Sequence, residues 1–396
     1  MGFNNHSVII QFKFHSLDKY CYVFNRILYN YFYLLLKAFY FLCKMSKKAD
    51  NQNFSIPIIT TQLRLETELN HYPPENIFIL ADENTVGLLP DLINTISKLQ
   101  SAFIIEIPSG EANKNIETCL NIWQKLSKNQ VNKKALIINL GGGVITDLGG
   151  FVASTYKRGI DFLNIPTTLL AMTDAAIGGK TGVDLDNFKN QVGIISSPIG
   201  IYYDSNFLST LPKNELVSGF AEVLKHGLVK SKSYWKKCTN ISFDNLNWED
   251  VILGSVEIKC GVVKRDPYEK GERRLLNFGH TIGHAIETFM MNQSTPILHG
   301  EAVAIGIICE SYISTKMAKL SKTEFEEITT NISKLFPKIE LKKSTFSNLI
   351  ELMKNDKKNI SNEINFSLLD SIGNGIYNQN CSEEMIINSL SYYAES

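Results

Sequence analysis

The run Ala135–Leu140 (ALIINL), with Gly141-Gly142-Gly143 and then Val144-Ile145-Thr146-Asp147-Leu148-Gly149-Gly150 behind it, decides the fold. A short apolar run reads as a strand, the glycines as a tight turn, and the residues from Val144 on as the start of a helix. Such a turn makes an anion cradle. Glycines let backbone N–H groups approach a pyrophosphate, and the helix N-terminus adds positive potential. The GxGxxG dinucleotide fingerprint fails at its last position, where Thr146 stands. Asp161 lies at the offset usual for a ribose-binding acid, but outside a well-formed fingerprint that is a poor lead. A nucleotide site and a purely structural turn both fit at this point.

Working outward, Asn76–Ala81, Ala102–Ile107, Phe162–Ile165 and Ile201–Tyr203 read as further strands, most too apolar for a one-sided sheet. Between Ala102–Ile107 and Ala135–Leu140, the residues Ile116, Cys119, Leu120, Trp123 and Leu126 mark one face of a helix. Alternating strands and helices with buried strands predict a parallel sheet covered on both faces. Ligands on such sheets bind at the carboxyl ends of the strands. Asp82 and Asn84 follow one strand there, and Ser109-Gly110-Glu111 with Lys114 follow another.

After Leu211-Pro212 the pattern becomes helical. The spacing predicts helices over residues 214–230, 248–264, 279–291, 301–319, 322–335 and 344–355, with little strand signal until 365–369. The expected fold is an α/β N-terminal domain with a parallel, nucleotide-binding-type sheet, residues 45–211. A mainly α-helical domain, residues 212–396, follows it.

Composition narrows the function. Forty basic and 40 acidic residues cancel, which argues against a nucleic-acid binder working by bulk electrostatics. Seven cysteines lie scattered, with no CxxC pair, and read as reduced thiols of a cytoplasmic protein. Residues 1–44 differ from the rest: they hold 13 of the 41 aromatic residues, and five basic residues against one acid leave +4 there and −4 elsewhere. Their longest greasy uncharged run, Ile27–Leu36, is ten residues, short of the roughly 17–25 a membrane span needs. No small-residue cleavage site follows Cys43, as a secretory signal would require. Membrane contact by an interfacial helix is a further reading. The expectation taken is a dispensable extension, with Met45 as an alternative start.

Three of the seven histidines cluster: His280 and His284 in GHTIGHAIE, and His299 in LHGEAVAIG. His280 and His284, four apart, share a helical face. A lone histidine is usually a satisfied polar residue, but two imidazoles with a carboxylate make a catalytic divalent-metal site with room for substrate. Glu287, Glu301 and the distant Glu222 are all candidates for the carboxylate, and local spacing does not choose among them. Lys180, Lys189-Asn190, Lys225, Lys259 and Arg273-Arg274 sit among glycines and aliphatics. Cations there are costly to bury unless they meet an anion, which suggests a small polyanionic substrate. Some of them could equally be structural partners of acids.

Together these motifs resemble the 3-dehydroquinate synthases of the sugar-phosphate cyclase superfamily. The carrying segments are GGGVITDLGGFVASTYKRGIDFLNIPTTLLAMTDAAIGGKTGVD, FKNQVG, LPKNELVSGFAEVLKHG, EIKCGVV, ERRLLNFGHTIGHAIE, LHGEAVAIG and NDKKN, in order from about residue 56 to the end. The resemblance implies NAD, a divalent metal such as Zn2+ or Co2+, and 3-deoxy-D-arabino-heptulosonate 7-phosphate as substrate. It implies Glu222, His280 and His299 as metal ligands, with His284 a substrate residue. Gly142, Gly143, Val144 and Asp147 would lie against NAD, joined by Asp82, Asn84, Glu111, Lys114, Thr167, Thr168 and Lys189. Asp174, Lys180, Asn190, Lys225, Lys259, Arg273, Asn277 and Lys357 look like substrate-site residues. Arg158 matches an arginine donated across a homodimer interface. Thr146 and His226 depart from the usual pattern.

A metal-dependent polyol dehydrogenase would share NAD and the histidines but has no use for five anion-binding cations. Other sugar-phosphate cyclases differ at the carboxylate end, where Lys259, Arg273 and Asn277 discriminate. A regulator that has lost catalysis is opposed by the intact Glu222, His280 and His299.

Overall fold

The computed structural model describes residues 57–185, 188–291, 293, 296–354 and 364–396. The expectations for residues 1–44 and for Lys357 lie outside these.

Six parallel strands form the first sheet: β1 (Ile58–Ile59), β2 (Ile77–Asp82), β3 (Phe103–Ile107), β4 (Leu136–Gly141), β5 (Asp161–Pro166) and β8 (Gly200–Tyr202), in the order β1-β8-β5-β4-β2-β3. Each of the five expected strands falls within one residue of its expected bounds. β2 and β4 are buried along their whole length, so both faces favour apolar side chains and the sequence runs without alternation, the buried Asn139 being paired with Asn164 at 2.9 Å. Helices α1 (Gln62–Leu69), α2 (Leu89–Thr95), α3 (Ile116–Lys128) and α4 (Gly143–Thr155) connect strands of this half. The chain leaves β2 for β3 on one side, then crosses back to β4 and continues to β5 on the other. The crevice of such a sheet opens where the direction reverses, here at the carboxyl ends of β2 and β4, which carry Asp82 and Gly141.

Two expectations change. On α3 the buried face is Thr118, Cys119, Ile122 and Leu126, while Ile116 and Leu120 are exposed. The i, i+3, i+7 set from Cys119 faces the sheet, and Leu120 lies about 100° of helix rotation away from it. β3, an edge strand, leaves Phe103 and Ile104 exposed rather than covered on both faces.

An antiparallel hairpin, β6 (Lys180–Leu185) with β7 (Phe188–Ile195), stands apart from the main sheet and packs on α4. Its polar, glycine-containing sequence hides it from an apolar-run search. It matters because it carries Lys180, Lys189 and Asn190.

Beyond Pro212 come α5 (Lys213–Lys230), α6 (Lys232–Thr239), α7 (Trp248–Arg265), α8 (His280–Met291), α9 (His299–Met317), α10 (Lys322–Ser333) and α11 (Phe346–Lys354). A hairpin of β9 (Asn365–Ser371) and β10 (Asn374–Asn380) and a last helix α12 (Glu383–Glu395) complete the chain. The expected helical segments correspond to α5 and α7–α11; α6, β10 and α12 were not expected. α9 is central, touching α5, α8, α10 and α12, and is buried nearly all round. The core of this half also takes in Leu169, Met172 and Ile201 from the sheet half, so that one cluster spans both halves, while two further clusters, around Leu80 and Ile137 and around Ile79 and Ile138, belong to the sheet alone. Among the described residues no helix is long and apolar enough to cross a membrane. The described cysteines are all free thiols.

Candidate active site

The glycine turn lies at the crevice. Thr167 N–H donates to Gly141 O at 3.0 Å, holding the loop after β5 against the turn. A Cβ on Gly142 would lie 3.2 Å from Thr168 Cγ2, and one on Gly143 3.3 Å from Ala175, tighter than a side chain normally tolerates. Thr146 is buried and donates to Gly143 O at 3.1 Å, so its hydroxyl is spent on the helix itself. Asp82 closes β2 with Oδ1 accepting from Asn84 N, Thr85 N and Thr85 Oγ1 at 2.9–3.0 Å, which shapes the loop that exposes Asn84. Asp161 opens β5, at the opposite end of the sheet from the crevice, and takes the Tyr72 hydroxyl at 2.7 Å. The ribose-acid lead therefore fails on geometry.

Behind the turn runs a ladder of charges. Lys114, only 4% exposed, donates to Asp147 Oδ2 on α4 and to Asn190 Oδ1 on β7, each at 2.7 Å, with Glu111 at 3.9 Å. Burial disfavours its charge, but Asp147 and Glu111 outweigh that and raise its pKa. Lys189 reaches Glu111 at 3.6 Å and Glu287 of α8 at 2.9 Å.

Facing this ladder, Glu222 on α5 is fully buried, and neither of its carboxylate oxygens accepts a well-directed hydrogen bond. His280 Nε2 lies 3.3 Å and His299 Nε2 3.4 Å from Glu222 Oε1. Their other nitrogens have acceptors: Phe278 O lies 3.2 Å from His280 Nδ1, and Glu287 Oε2 lies 3.2 Å from His299 Nδ1. With Nδ1 so engaged, each Nε2 would offer its lone pair to a divalent cation that took the place of the proton Glu222 otherwise attracts, and two imidazoles with a carboxylate are the donor types such a cation takes. His284 stands beside them, its ring centroid 5.0 Å from that of His280; ring nitrogens of His280, His284 and His299 lie within 4.8 Å of one another, while Glu222 makes a second such set with Asp174 and His226. Burial opposes ionisation of Glu287, yet His299 and Lys189 outweigh it and hold the carboxyl at about 2. Burial likewise opposes the His299 charge, but Glu287 and Glu222 lift its pKa to about 10.

Both histidines open helices, and glycines bring those helices together. Gly279, at φ +81°, makes the turn into α8, a conformation that suits glycine. Gly300 N–H donates to Ser218 Oγ at 2.9 Å, and a Cβ there would collide with the Ser218 backbone. That contact seats the start of α9 one turn from Glu222.

The third part is cationic. Asp174 lies in a π-helical turn, Ala171–Ala175, a distortion frequent at functional sites. Lys259 Nζ donates to its Oδ1 and to its backbone O, both at 2.6 Å. Lys225, fully buried, pairs with Glu222 and stands 4.0 Å from Asp174. Burial works against the Asp174 charge, but Lys259 and Lys225 outweigh it and hold the carboxyl well below its usual range. Arg273, buried, donates to Pro267 O at 2.7 Å and Gly178 O at 3.1 Å. Asn277 donates to Glu269 Oε1 at 2.6 Å, and Lys180 pairs with the same carboxylate. Arg158, at φ +65° between α4 and β5, is exposed. Among the described residues, none of its contacts ties it to the site residues of its own chain.

Of the three candidate carboxylates, Glu301 accepts the Leu298 N–H at 2.7 Å and caps α9. Glu287 backs His299 from outside, and Glu222 faces both histidines. Sequence reasoning missed Glu269, which bridges Lys180 and Asn277; its one signal was an acid four residues before Arg273. It also gave no role to His226, whose Nδ1 lies 2.5 Å from Ser255 Oγ and whose Nε2 lies 3.6 Å from Asp174.

A nucleotide-type crevice and a histidine–carboxylate cluster on one fold define an architecture that this chain shares with sugar-phosphate cyclases and with dehydrogenases such as the NADH-dependent butanol dehydrogenase of Thermotoga maritima, at a TM-score of 0.63 and 14% identity over 87% of this chain and 98% of that one. The chain superposes on a 2-epi-5-epi-valiolone synthase of Streptomyces hygroscopicus, solved with NAD+ and Zn2+ bound, at a TM-score of 0.76 and 23% identity over 88% of this chain and 99% of that one. A 2-deoxy-scyllo-inosose synthase complexed with carbaglucose-6-phosphate, NAD+ and Co2+ gives 0.74 and 23% over 87% and 98%. Sequence is more specific. The family profile described as 3-dehydroquinate synthase N-terminal matches residues 104–218, and the one described as 3-dehydroquinate synthase C-terminal matches residues 219–359. A 3-dehydroquinate synthase of Parabacteroides distasonis is 39% identical over 344 residues, 86% of this chain and 98% of the relative. The chain belongs to the 3-dehydroquinate synthase family.

Proposed function

We propose that this chain converts 3-deoxy-D-arabino-heptulosonate 7-phosphate to 3-dehydroquinate and phosphate, a lyase step of the shikimate pathway, using NAD and a divalent metal, zinc or cobalt. One observation carries the reading: Glu222 is buried with two imidazole Nε2 atoms within 3.4 Å, beside the buried cations Lys225 and Lys259. A cluster that joins metal-type donors to anion-binding ammonium groups suits a substrate with hydroxyls, a carboxylate and a phosphate.

Glu222, His280 and His299 would hold the metal. The amides of Gly142, Gly143 and Val144 would meet the pyrophosphate of NAD at the start of α4, with Asp82, Asn84, Glu111, Lys114, Asp147, Thr167, Thr168 and Lys189 around it. When bound, NAD supplies a hydride acceptor that is restored before turnover ends, and the metal supplies Lewis acidity at the oxidised hydroxyl. The chain's own residues orient the substrate and neutralise its charge. Lys180, His284 and a partner's Arg158 would take the phosphate; Lys259, Arg273 and Asn277 would take the carboxylate and hydroxyl end. Asp174 fixes the Lys259 ammonium from two sides, so that cation is preorganised rather than recruited from solvent. Asn190, Lys225 and Lys357 complete the substrate site in this reading. Loss of phosphate breaks a C–O bond while a proton leaves the adjacent carbon, and a substrate phosphate oxygen can accept that proton. No dedicated protein base is then required.

The test is phosphate release by the purified chain given substrate, NAD+ and Zn2+, before and after a strong chelator. Release that stops with chelator and returns with Zn2+ supports the assignment. Release indifferent to chelator removes the metal from it.

A further inference from the structure

Glu287 stands between the two halves of the site. Its Oε2 lies 3.2 Å from His299 Nδ1, and its Oε1 accepts from Lys189 Nζ at 2.9 Å. It is buried, on α8, whereas Lys189 belongs to the β6–β7 hairpin of the sheet half. From Lys189 the contacts continue to Glu111 at 3.6 Å, from Glu111 to Lys114 at 3.9 Å, and from Lys114 to Asp147 on α4 at 2.7 Å. Asp147 lies in the first turns of the helix that the glycine turn opens. Charges of alternating sign thus run without a break from the nucleotide crevice to one of the two imidazoles facing Glu222.

The geometry points to Glu287 as a positioning residue that orients His299 for the metal and couples occupancy of the nucleotide crevice to metal affinity. Two physical steps carry this. A carboxylate accepting from Nδ1–H fixes the ring's tautomer and orientation and makes Nε2 a stronger donor. The same carboxylate shares its charge with Lys189. A pyrophosphate at the start of α4 draws the Lys114 and Lys189 ammonium groups toward itself, so more of the Glu287 charge falls on His299. Nucleotide binding then strengthens metal binding, and by reciprocity metal binding strengthens nucleotide binding by the same factor.

This inference rests on the NAD and metal reading above, and the experiment separates the two. Zn2+ affinity of the intact chain is measured by competition with a chromophoric chelator, without and with saturating NAD+, and no substrate. For the unaltered chain, NAD+ is expected to tighten Zn2+ roughly five-fold or more, within the usual range of such couplings. Glu287→Gln keeps the shape and removes the charge; Glu287→Ala removes both. Zn2+ affinity is expected to fall roughly 10–100-fold in Glu287→Ala, the usual loss for such a partner, and by less in Glu287→Gln. In both variants the NAD+ effect should shrink to about one-fold. Zn2+ affinity unchanged in Glu287→Ala, or an NAD+ effect of equal size in Glu287→Gln, overturns the inference while leaving the NAD and metal reading intact. A chain that binds neither Zn2+ nor NAD+ overturns both. Glu287→Asp, one carbon shorter with its charge kept, should restore part of the coupling; no recovery beyond Glu287→Gln contradicts a charge-borne link.

Discussion

Lys259 Nζ donates to Asp174 twice, to the side-chain Oδ1 and to the backbone O, both at 2.6 Å. A buried ammonium held by one residue from two directions cannot swing to solvent, and the π-helical turn at Ala171–Ala175 brings both oxygens to it. Lys259→Met leaves Asp174 short of its main partner. Breaking one side of a buried pair costs about 3–5 kcal/mol, offset here by Lys225 nearby. Turnover is expected to fall more steeply than stability, with kcat/KM for phosphate release down at least ~10²-fold, as for loss of a preorganised electrostatic group. Wild-type kinetics in a folded Lys259→Met chain would take this lysine out of the site.

Glu222→Gln keeps the volume but removes the negative charge from between two imidazoles and Lys225. The purified variant should retain little zinc. Its phosphate release should drop well beyond the roughly 10–100-fold expected for an outer partner of a ligand. Lys225 then lies buried beside a neutral amide, so a lower melting temperature should accompany the loss. Full zinc content by elemental analysis would remove Glu222 from the ligand set.

Gly300→Ala tests the close approach of α9 to α5. The new methyl meets the backbone of Ser218, which cannot give way as a flexible side chain would. Overpacking of this kind costs about 1–3 kcal/mol. Since His299 is the preceding residue, zinc affinity should drop along with the thermal midpoint. A fall in the midpoint alone would show that the helix start adjusts without moving the imidazole.

Glu272 accepts from Arg265 and Lys230 at 2.6–3.0 Å, and these bonds hold its carboxyl at about 2 against the ordinary 4.5. The charged form is favoured in the folded chain. Its stabilisation is therefore complete above about pH 4.5 and is lost as pH falls toward 2. In urea titrations Glu272→Gln should be less stable than the unaltered chain at pH 7, with the difference closing below pH 4. A difference independent of pH would mean the carboxylate acts through packing rather than charge.

Much of this architecture was legible because burial on both faces leaves a strong mark. β2 and β4 are apolar apart from the buried Asp82 and Asn139, and their ends located the crevice. The β6–β7 hairpin was not legible: its strands, KTGVDL and FKNQVGII, are glycine-containing and show neither a continuous apolar run nor a regular alternation. Asp161 was a poor lead, and the fold adds the reason: an offset along the chain says nothing about which end of a strand a residue occupies. Glu222 lies far from His280 and His299 in sequence, so spacing left three carboxylates open and only family likeness chose among them. The folded chain shows why the other two are elsewhere: Glu301 is spent capping α9, and Glu287 stands on the outer side of His299.

The most direct measurement tracks phosphate, 3-dehydroquinate and NADH together as the purified chain consumes its substrate with NAD+ and Zn2+. Phosphate and 3-dehydroquinate are expected in equal amounts, with many turnovers per NAD+ and no accumulating NADH. NADH rising in step with substrate consumed, without release of phosphate, would contradict the synthase reading and make the protein a dehydrogenase on the same fold.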